Sequence, residues 1–293
     1  MFKKFNNLEF VGIDISANTV RLVKLMKTKN NYRVAAYATC TAATPAAALT
    51  QAIAQAQTKI KTAIIAMPYS ATIIKTISLD ASLQEHEILR YLSHKIEKYT
   101  GVSAQNINMD FNVLGKTKDQ TNKIDVQLVA SKREQIDAKM DLLHQVNIRA
   151  RVIDIESFAL ARAATLQAKE DIITVIKFNK PTFLLCVLKN KTPIYTKEEN
   201  IASQNFTKQL HHELQMFYAT HDEIIKQIIL AGDIPDPTSL AKNISMQINI
   251  PTSLANPFIN MTFDDSINQK ELYKIAPNMA LSCGLALWQH SND

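Results

Sequence analysis

Two stretches of this chain share one rhythm, and that rhythm limits the folds open to it. Residues 8–15, 19–26 and 32–40 read as strand, turn, strand, turn, strand, with apolar side chains on alternate or on both faces. Residues 171–178, 182–188 and 193–197 repeat the pattern around a turn at Asn179-Lys180-Pro181. A gap-free offset of 163 positions sets Ile13 against Ile176, Ile15 against Phe178, Thr19 against Thr182, Leu22 against Leu185 and Leu25 against Leu188. A few apolar matches arise between any two hairpins. Recurrence of the whole meander makes internal duplication the stronger reading. Each meander is followed by a helix and then by a short apolar strand. The first pair is residues 45–60 and 62–68; the second is a helix marked by Phe206, Leu210, Leu214 and Phe217, then residues 227–230. A helix leading back to a strand implies a parallel neighbour. The expected fold class is therefore α/β, in two related halves.

The remaining segments read differently. Residues 72–79 form a strand, residues 83–99 a helix with Leu89, Leu92, Ile96 and Tyr99 at helical spacing, and residues 109–114 and 124–130 a hairpin around a polar loop at 115–123. Ser131 with Glu134 reads as a capping box opening the next helix. Residues 149–155 form a strand and Ser157 begins a short helix. A helix from about Thr238 follows Ala231-Gly232-Asp233, and a last helix from Pro277 carries the small-residue segment 280–286.

At 293 residues with 46% hydrophobic and 20% charged residues, the chain can bury a large core. The net charge of +6 permits an anionic partner, but the charges are dispersed and no basic-aromatic stripe appears, so no nucleic-acid partner is expected. Met1-Phe2-Lys3-Lys4-Phe5 reads as a solvated tail, with a membrane-surface contact as the alternative. Cys40, Cys186 and Cys283 are far apart, odd in number and without metal spacing, which fits reduced thiols in a cytosolic protein. No apolar run approaches a membrane span. Adjacent His211 and His212 point apart on one helix, so with Glu213 and His221 they read as a solvated face rather than a metal site. Ser157 lacks the context of a catalytic nucleophile.

Asp14 is the residue that asks for a reason. It ends an apolar strand, between Ile13 and Ile15, and the turn Ser16-Ala17-Asn18-Thr19 follows. Such an aspartate caps its own turn, and on the hairpin alone that is the favoured reading. Two meanders with a carboxylate at the first turn also resemble the actin-like ATPase superfamily, in which two related domains clamp a nucleotide. There the turn's N–H groups cradle phosphate oxygens and the aspartate holds Mg²⁺ through water. The ordered motifs GIDISANTVRLVKL, MPYSATIIKTISL, INMDFNVLG, DVQLVASKREQID, RVIDIESFALARA, IILAGD, ANPF and PNMALSCGLALW together resemble the PilM family of type IV pilus assembly proteins, over residues 11–288.

That resemblance implies an actin-like (ribonuclease H-like) two-domain fold with an inserted 1C-type subdomain. Its parts would be residues 1–70 (1A), 71–149 (1C), 150–170 (interdomain segment), 171–276 (2A with a reduced 2B) and 277–293, a helix returning to the first domain. It implies ATP and Mg²⁺ as the family's ligands, with Gly12, Asp14, Ser16, Asn18, Thr19, Lys177, Gly232 and Asp233 at the binding positions and Asp14 on the metal through water. The departures cut against catalysis. Where the second hairpin of the family carries Asp-Ile-Gly, this chain has Lys177-Phe178-Asn179; the adenosine-side loop is Ala231-Gly232-Asp233; and the helix at Phe206 follows Glu198-Glu199 almost at once, where the family places a lid. With a carboxylate exchanged for a cation, no catalytic residue is assigned. The implied partner is the cytoplasmic N-terminal tail of a PilN-like membrane protein, in a groove between 1A and 1C bordered by the 72–79 strand and the 83–99 helix, with a link to the pilus motor ATPase. The implied location is cytoplasmic, peripheral to the inner membrane. The alternatives are a working ATPase, with Glu170, Asp171 or Glu198 as the replacement acid, and a filament former. In the family the segment holding Asp154 and Glu156 joins the two domains, so an interface role is expected there.

Overall fold

The computed structural model describes residues 9–29, 31–118, 120–201 and 206–288, so the N-terminal Met1–Phe5 reading lies outside the described residues. The chain divides into two compact units: residues 67–142 form one, and the chain before and after them forms the other.

The larger unit opens with β1 (Glu9–Ser16), β2 (Thr19–Lys27) and β3 (Tyr32–Thr41), an antiparallel meander. α1 (Pro45–Gln55) follows; Thr44 caps it by accepting from the Ala47 N–H, and Pro45 supplies a first helical residue that needs no N–H partner. β4 (Thr62–Met67) then returns parallel to β1.

The inserted unit holds β5 (Thr72–Asp80), α2 (Glu85–Thr100), β6 (Ile107–Thr117), β7 (Gln120–Lys132) and most of α3 (Arg133–His144). Its sheet runs β5-β7-β6, fully antiparallel, and α2 packs Ile88, Leu92 and Ile96 on Val126, Leu128 and Ala130. Three expectations need correction. Leu89 is 47% exposed; Ile88 takes the core position, four residues before Leu92. The expected loop at 115–123 is mostly strand, because polar residues also satisfy a ladder that stands in solvent. Ser131 does not cap a helix: it belongs to β7, and its hydroxyl donates to the Ala71 carbonyl. The capping box sits on α2 instead, between Gln84 and Glu87.

The chain re-enters the larger unit through β8 (Arg149–Ile155) and α4 (Glu156–Thr165), and the meander recurs as β9 (Ile172–Asn179), β10 (Thr182–Lys189) and β11 (Thr192–Asn200). α5 (Phe206–Tyr218) leads to β12 (Gln227–Gly232), parallel to β9; α6 (Pro237–Ile248) leads to β13 (Thr252–Leu254). β14 (Thr262–Phe263), α7 (Gln269–Lys274) and α8 (Ala280–Ala286) complete it; the first two had no clear sequence signal. The sheets run β14-β3-β2-β1-β4-β8 and β11-β10-β9-β12-β13, so each meander sits in the same order beside its parallel strand.

The duplication extends to register. Asp14 pairs with Arg21 and Ser16 with Thr19; 163 positions on, Lys177 pairs with Leu184 and Asn179 with Thr182. Even the irregularity recurs: β2 slips against β3 between Lys24 and Leu25, and β10 against β11 between Val187 and Leu188. Two hairpins with equal turn length inherit equal register, because the turn sets which residues face each other. A shared bulge requires more than a shared turn. Between the sheets lie α4 and α8, at backbone contact. A Cβ on Gly12 would stand 2.0 Å from the Ser282 carbonyl oxygen, and one on Gly284 would stand 1.9 Å from that of Ala159.

Candidate functional site

β1 is buried from Phe10 to Asp14, and in an antiparallel pair opposite residues point to the same side. Asp14 therefore faces Arg21 of β2. Both are buried, with one guanidinium nitrogen 3.5 Å from Asp14 Oδ2, and the Ser16 hydroxyl donates to Asp14 Oδ1 at 2.7 Å. The other end of Arg21 crosses to the second half. Its Nη2 reaches Asp233 Oδ1 at 2.6 Å and Oδ2 at 2.7 Å. Asp233 is placed by its own N–H, which donates to the Phe178 carbonyl at 3.0 Å, and by the Asn278 amide, which donates to Oδ1 at 2.5 Å.

Lys177 lies beside this group. Phe178 turns into the core against α5 and α6, so its neighbour Lys177 faces the other way, toward α4. Its ammonium meets Glu156 Oε1 at 2.6 Å, with side chains only 5% and 8% exposed. Burial pulls the lysine toward its neutral form. The carboxylates of Glu156 and Asp14 outweigh that, helped by the Glu156 hydrogen bond and against Arg21, and hold Lys177 above the ordinary lysine range. The cluster thus carries three carboxylates, Asp14, Glu156 and Asp233, with two cations, Arg21 and Lys177 between them; Arg21 Nε is its buried donor without a hydrogen-bond partner.

The structure gathers Asp14, Ser16, Lys177, Gly232 and Asp233. Gly232 has φ +81°, and a Cβ there would stand 2.2 Å from the Phe178 carbonyl oxygen, so it serves the close approach of β12 to β9. Gly12, Asn18 and Thr19 do not join them. Gly12 makes room for α8. The Asn18 amide donates to the Ala43 carbonyl and Thr19 hydrogen-bonds Thr41, both on the far side of the hairpin. Arg21 and Asn278 carried no site signal in the sequence, and Glu156 carried only the expectation of an interface role, which its contact with Lys177 on β9 matches. The acid beside Lys177 is Glu156, not Glu170, Asp171 or Glu198. An acid in the first turn of a helix reads as a partner for the helix dipole, and only the packing of α4 on β9 shows otherwise. Asp154 pairs with Arg162, whose Nε donates to the Gly284 carbonyl, so it secures α4 to α8. His211 and His212 are exposed, while Glu213 pairs with Lys197.

A cavity of about 320 Å³ opens beside Gly232 and Asn278, walled by Leu254, Ala255, Tyr273 and Pro277. Magnesium triphosphate does not fit the charged cluster next to it. Mg²⁺ would have to take Asp14 from Arg21. Lys177 is committed to Glu156, and the second turn contains Pro181, which has no N–H to offer a phosphate. Three carboxylates with two cations also repel a polyanion. Among the described residues no group of three or more His, Cys, Asp or Glu side chains converges on a metal position.

Comparison with known proteins places this geometry. The profile of the family described as type IV pilus assembly protein PilM matches residues 12–212 and 202–290. A solved structure, described as a PilM-PilN type IV pilus biogenesis complex, is similar with a TM-score of 0.79, 18% identity, 96% of this chain and 98% of that chain covered. A Bacteroides thetaiotaomicron protein with actin-like ATPase fold and unknown function gives a TM-score of 0.54 at 11% identity, covering 98% and 100%. The ethanolamine utilization protein EutJ from Carboxydothermus hydrogenoformans gives 0.54 at 10%, covering 98% and 92%. At these identities the structures show the fold, while the profile spans nearly the whole chain. With its doubled meander and one acidic corner retained, the chain belongs to the family of type IV pilus assembly protein PilM and has an actin-like ATPase fold.

Proposed function

We propose that this chain is a non-hydrolysing adaptor of the type IV pilus assembly platform. It holds the N-terminal tail of a PilN-like membrane protein at the cytoplasmic face of the inner membrane and links it to the pilus motor ATPase. The observation that carries the reading is family membership over nearly the whole chain, together with the likeness to the structure described as a PilM-PilN complex. Two features support it. Within its own sheet β5 is an edge strand, and an extended tail gains main-chain hydrogen bonds by adding to such an edge. Lys177 in place of a second carboxylate removes a group that would position metal and water, which supports the loss of hydrolysis.

A fluorescent peptide with the N-terminal tail sequence of a PilN-like protein from the same organism tests the reading by anisotropy with the full chain at low salt. Saturable binding, competed by unlabelled tail, is expected. A flat titration removes the adaptor reading. Phosphate release from Mg-ATP should stay at buffer level; turnover that Asp14→Asn abolishes would favour the enzyme instead. A second reading, nucleotide held without turnover, draws on the cavity beside Gly232. Calorimetric heat on titrating Mg-ATP would favour it.

A further inference from the structure

In an ATPase of this architecture the ligand sits between two hairpins and its charges draw them together. Here protein atoms occupy that role on both sides. Arg21 rises from β2 in the first sheet and grips Asp233, 212 residues away at the end of β12 in the second, with both guanidinium contacts under 2.8 Å. Glu156 begins α4, which follows β8 of the first sheet, and reaches Lys177 on β9 of the second. The two links run in opposite electrical sense: the first sheet supplies the cation of one and the acid of the other. Asn278, in the turn before α8, ties Asp233 a second time. Asp14 stands near both cations, as a bound metal's ligand would.

We propose that Arg21 and Lys177 are built-in counter-cations that replace a metal–nucleotide complex as the clasp between the two duplicated halves, so that the larger unit is held closed by protein atoms alone. The proposal rests on the site being free of nucleotide in the adaptor reading, and goes beyond it by assigning what closes the halves. It gives Lys177 a purpose: a cation there is the substitution that lets Glu156 stay buried and charged without metal. It also distributes the clasp unevenly. Lys177–Glu156 is sealed from solvent, while the Asp233 side chain is 48% exposed. Asp233 is therefore the half of the clasp that can be removed without threatening the core.

Hydrogen–deuterium exchange on the full chain tests this, with wild type, Asp233→Asn, Arg21→Met and the double variant, each with and without millimolar Mg-ATP. In wild type the segments 14–21, 177–184 and 228–233 should be protected without nucleotide and unchanged by it. Asp233→Asn should speed exchange in 14–21 as well as in 228–233, by about threefold or more, because opening of a clasp frees both ends. The double variant should exchange no faster than Arg21→Met, since the two residues act as one link. Residues 67–142 should not change in any variant. The clasp is overturned if Asp233→Asn leaves 14–21 untouched, or if its effect spreads equally over 67–142. Slowing of both hairpins by Mg-ATP in wild type would overturn the clasp and the nucleotide-free reading together. Unchanged exchange in Asp233→Asn with no nucleotide response would overturn the clasp alone, and tail binding stands or falls by its own titration.

Discussion

Replacing Lys177 by methionine keeps the length and bulk of the side chain and deletes its charge. Glu156, 8% exposed, then loses the ammonium that met its Oε1 at 2.6 Å. Removing one member of a buried pair costs about 3–5 kcal/mol, because the desolvation of the other member is no longer offset. Both side chains are sealed, so solvent screening takes little from this figure. Removing both charges, as Lys177→Met with Glu156→Gln, should bring stability back to within about 1 kcal/mol of wild type. Urea titration followed by the fluorescence of the single tryptophan, Trp288, reads the larger unit directly. At roughly 2–4 °C per kcal/mol for a unit of this size, the single variant should melt roughly 6–20 °C below wild type. A single variant within about 1 kcal/mol of wild type, or a double variant worse than the single, would each refute the assignment of Lys177–Glu156 as a buried, mutually dependent pair.

Because Lys177 is held above its ordinary value of 10.5, its contribution is complete below that pH and is lost as pH climbs through the higher folded value; wild type should lose stability relative to the double variant in strongly alkaline urea titrations. Burial pushes the Cys186 thiol up to about 12 and raises Cys283 as well, whereas Cys40 is partly exposed. A thiol reagent at pH 8 should label Cys40 first and the other two about 100-fold more slowly, all three becoming equal in denaturant. Gly284→Ala, with its new methyl 1.9 Å from the Ala159 carbonyl oxygen, should cost about 2 kcal/mol or more in the same urea assay, and Gly12→Ala should do likewise through the Ser282 carbonyl.

Both of those glycines show how far a sequence can be read and where it stops. Gly12 sits beside Asp14 in a motif that points to phosphate, yet its missing Cβ accommodates a helix that arrives 270 residues later in the chain. Ser131 and Glu134 have the spacing of a capping box, but the strand runs two residues further than local preference suggests. The polar tip of the β6–β7 hairpin, residues 115–123, carries no apolar alternation, so it reads as a loop although most of it is strand. The cavity beside Gly232 draws on Leu254, Tyr273 and Pro277, which nothing in their local context brings together.

Hydrophobic alternation and turn length are local quantities, and they were enough to place the meanders and to point to the 163-residue duplication, whose register the structure then repeats, since a turn of given length leaves one way for its strands to pair. The exchange of a carboxylate for Lys177 at the matching corner was legible for the same reason. Which charges meet was not. Arg21 finds Asp233, and Lys177 finds Glu156, only when α8 packs between the two sheets, at backbone contact with β1 at Gly12 and with α4 at Gly284. Ion pairing falls off steeply with distance, and the distances here are products of packing between segments that the chain separates.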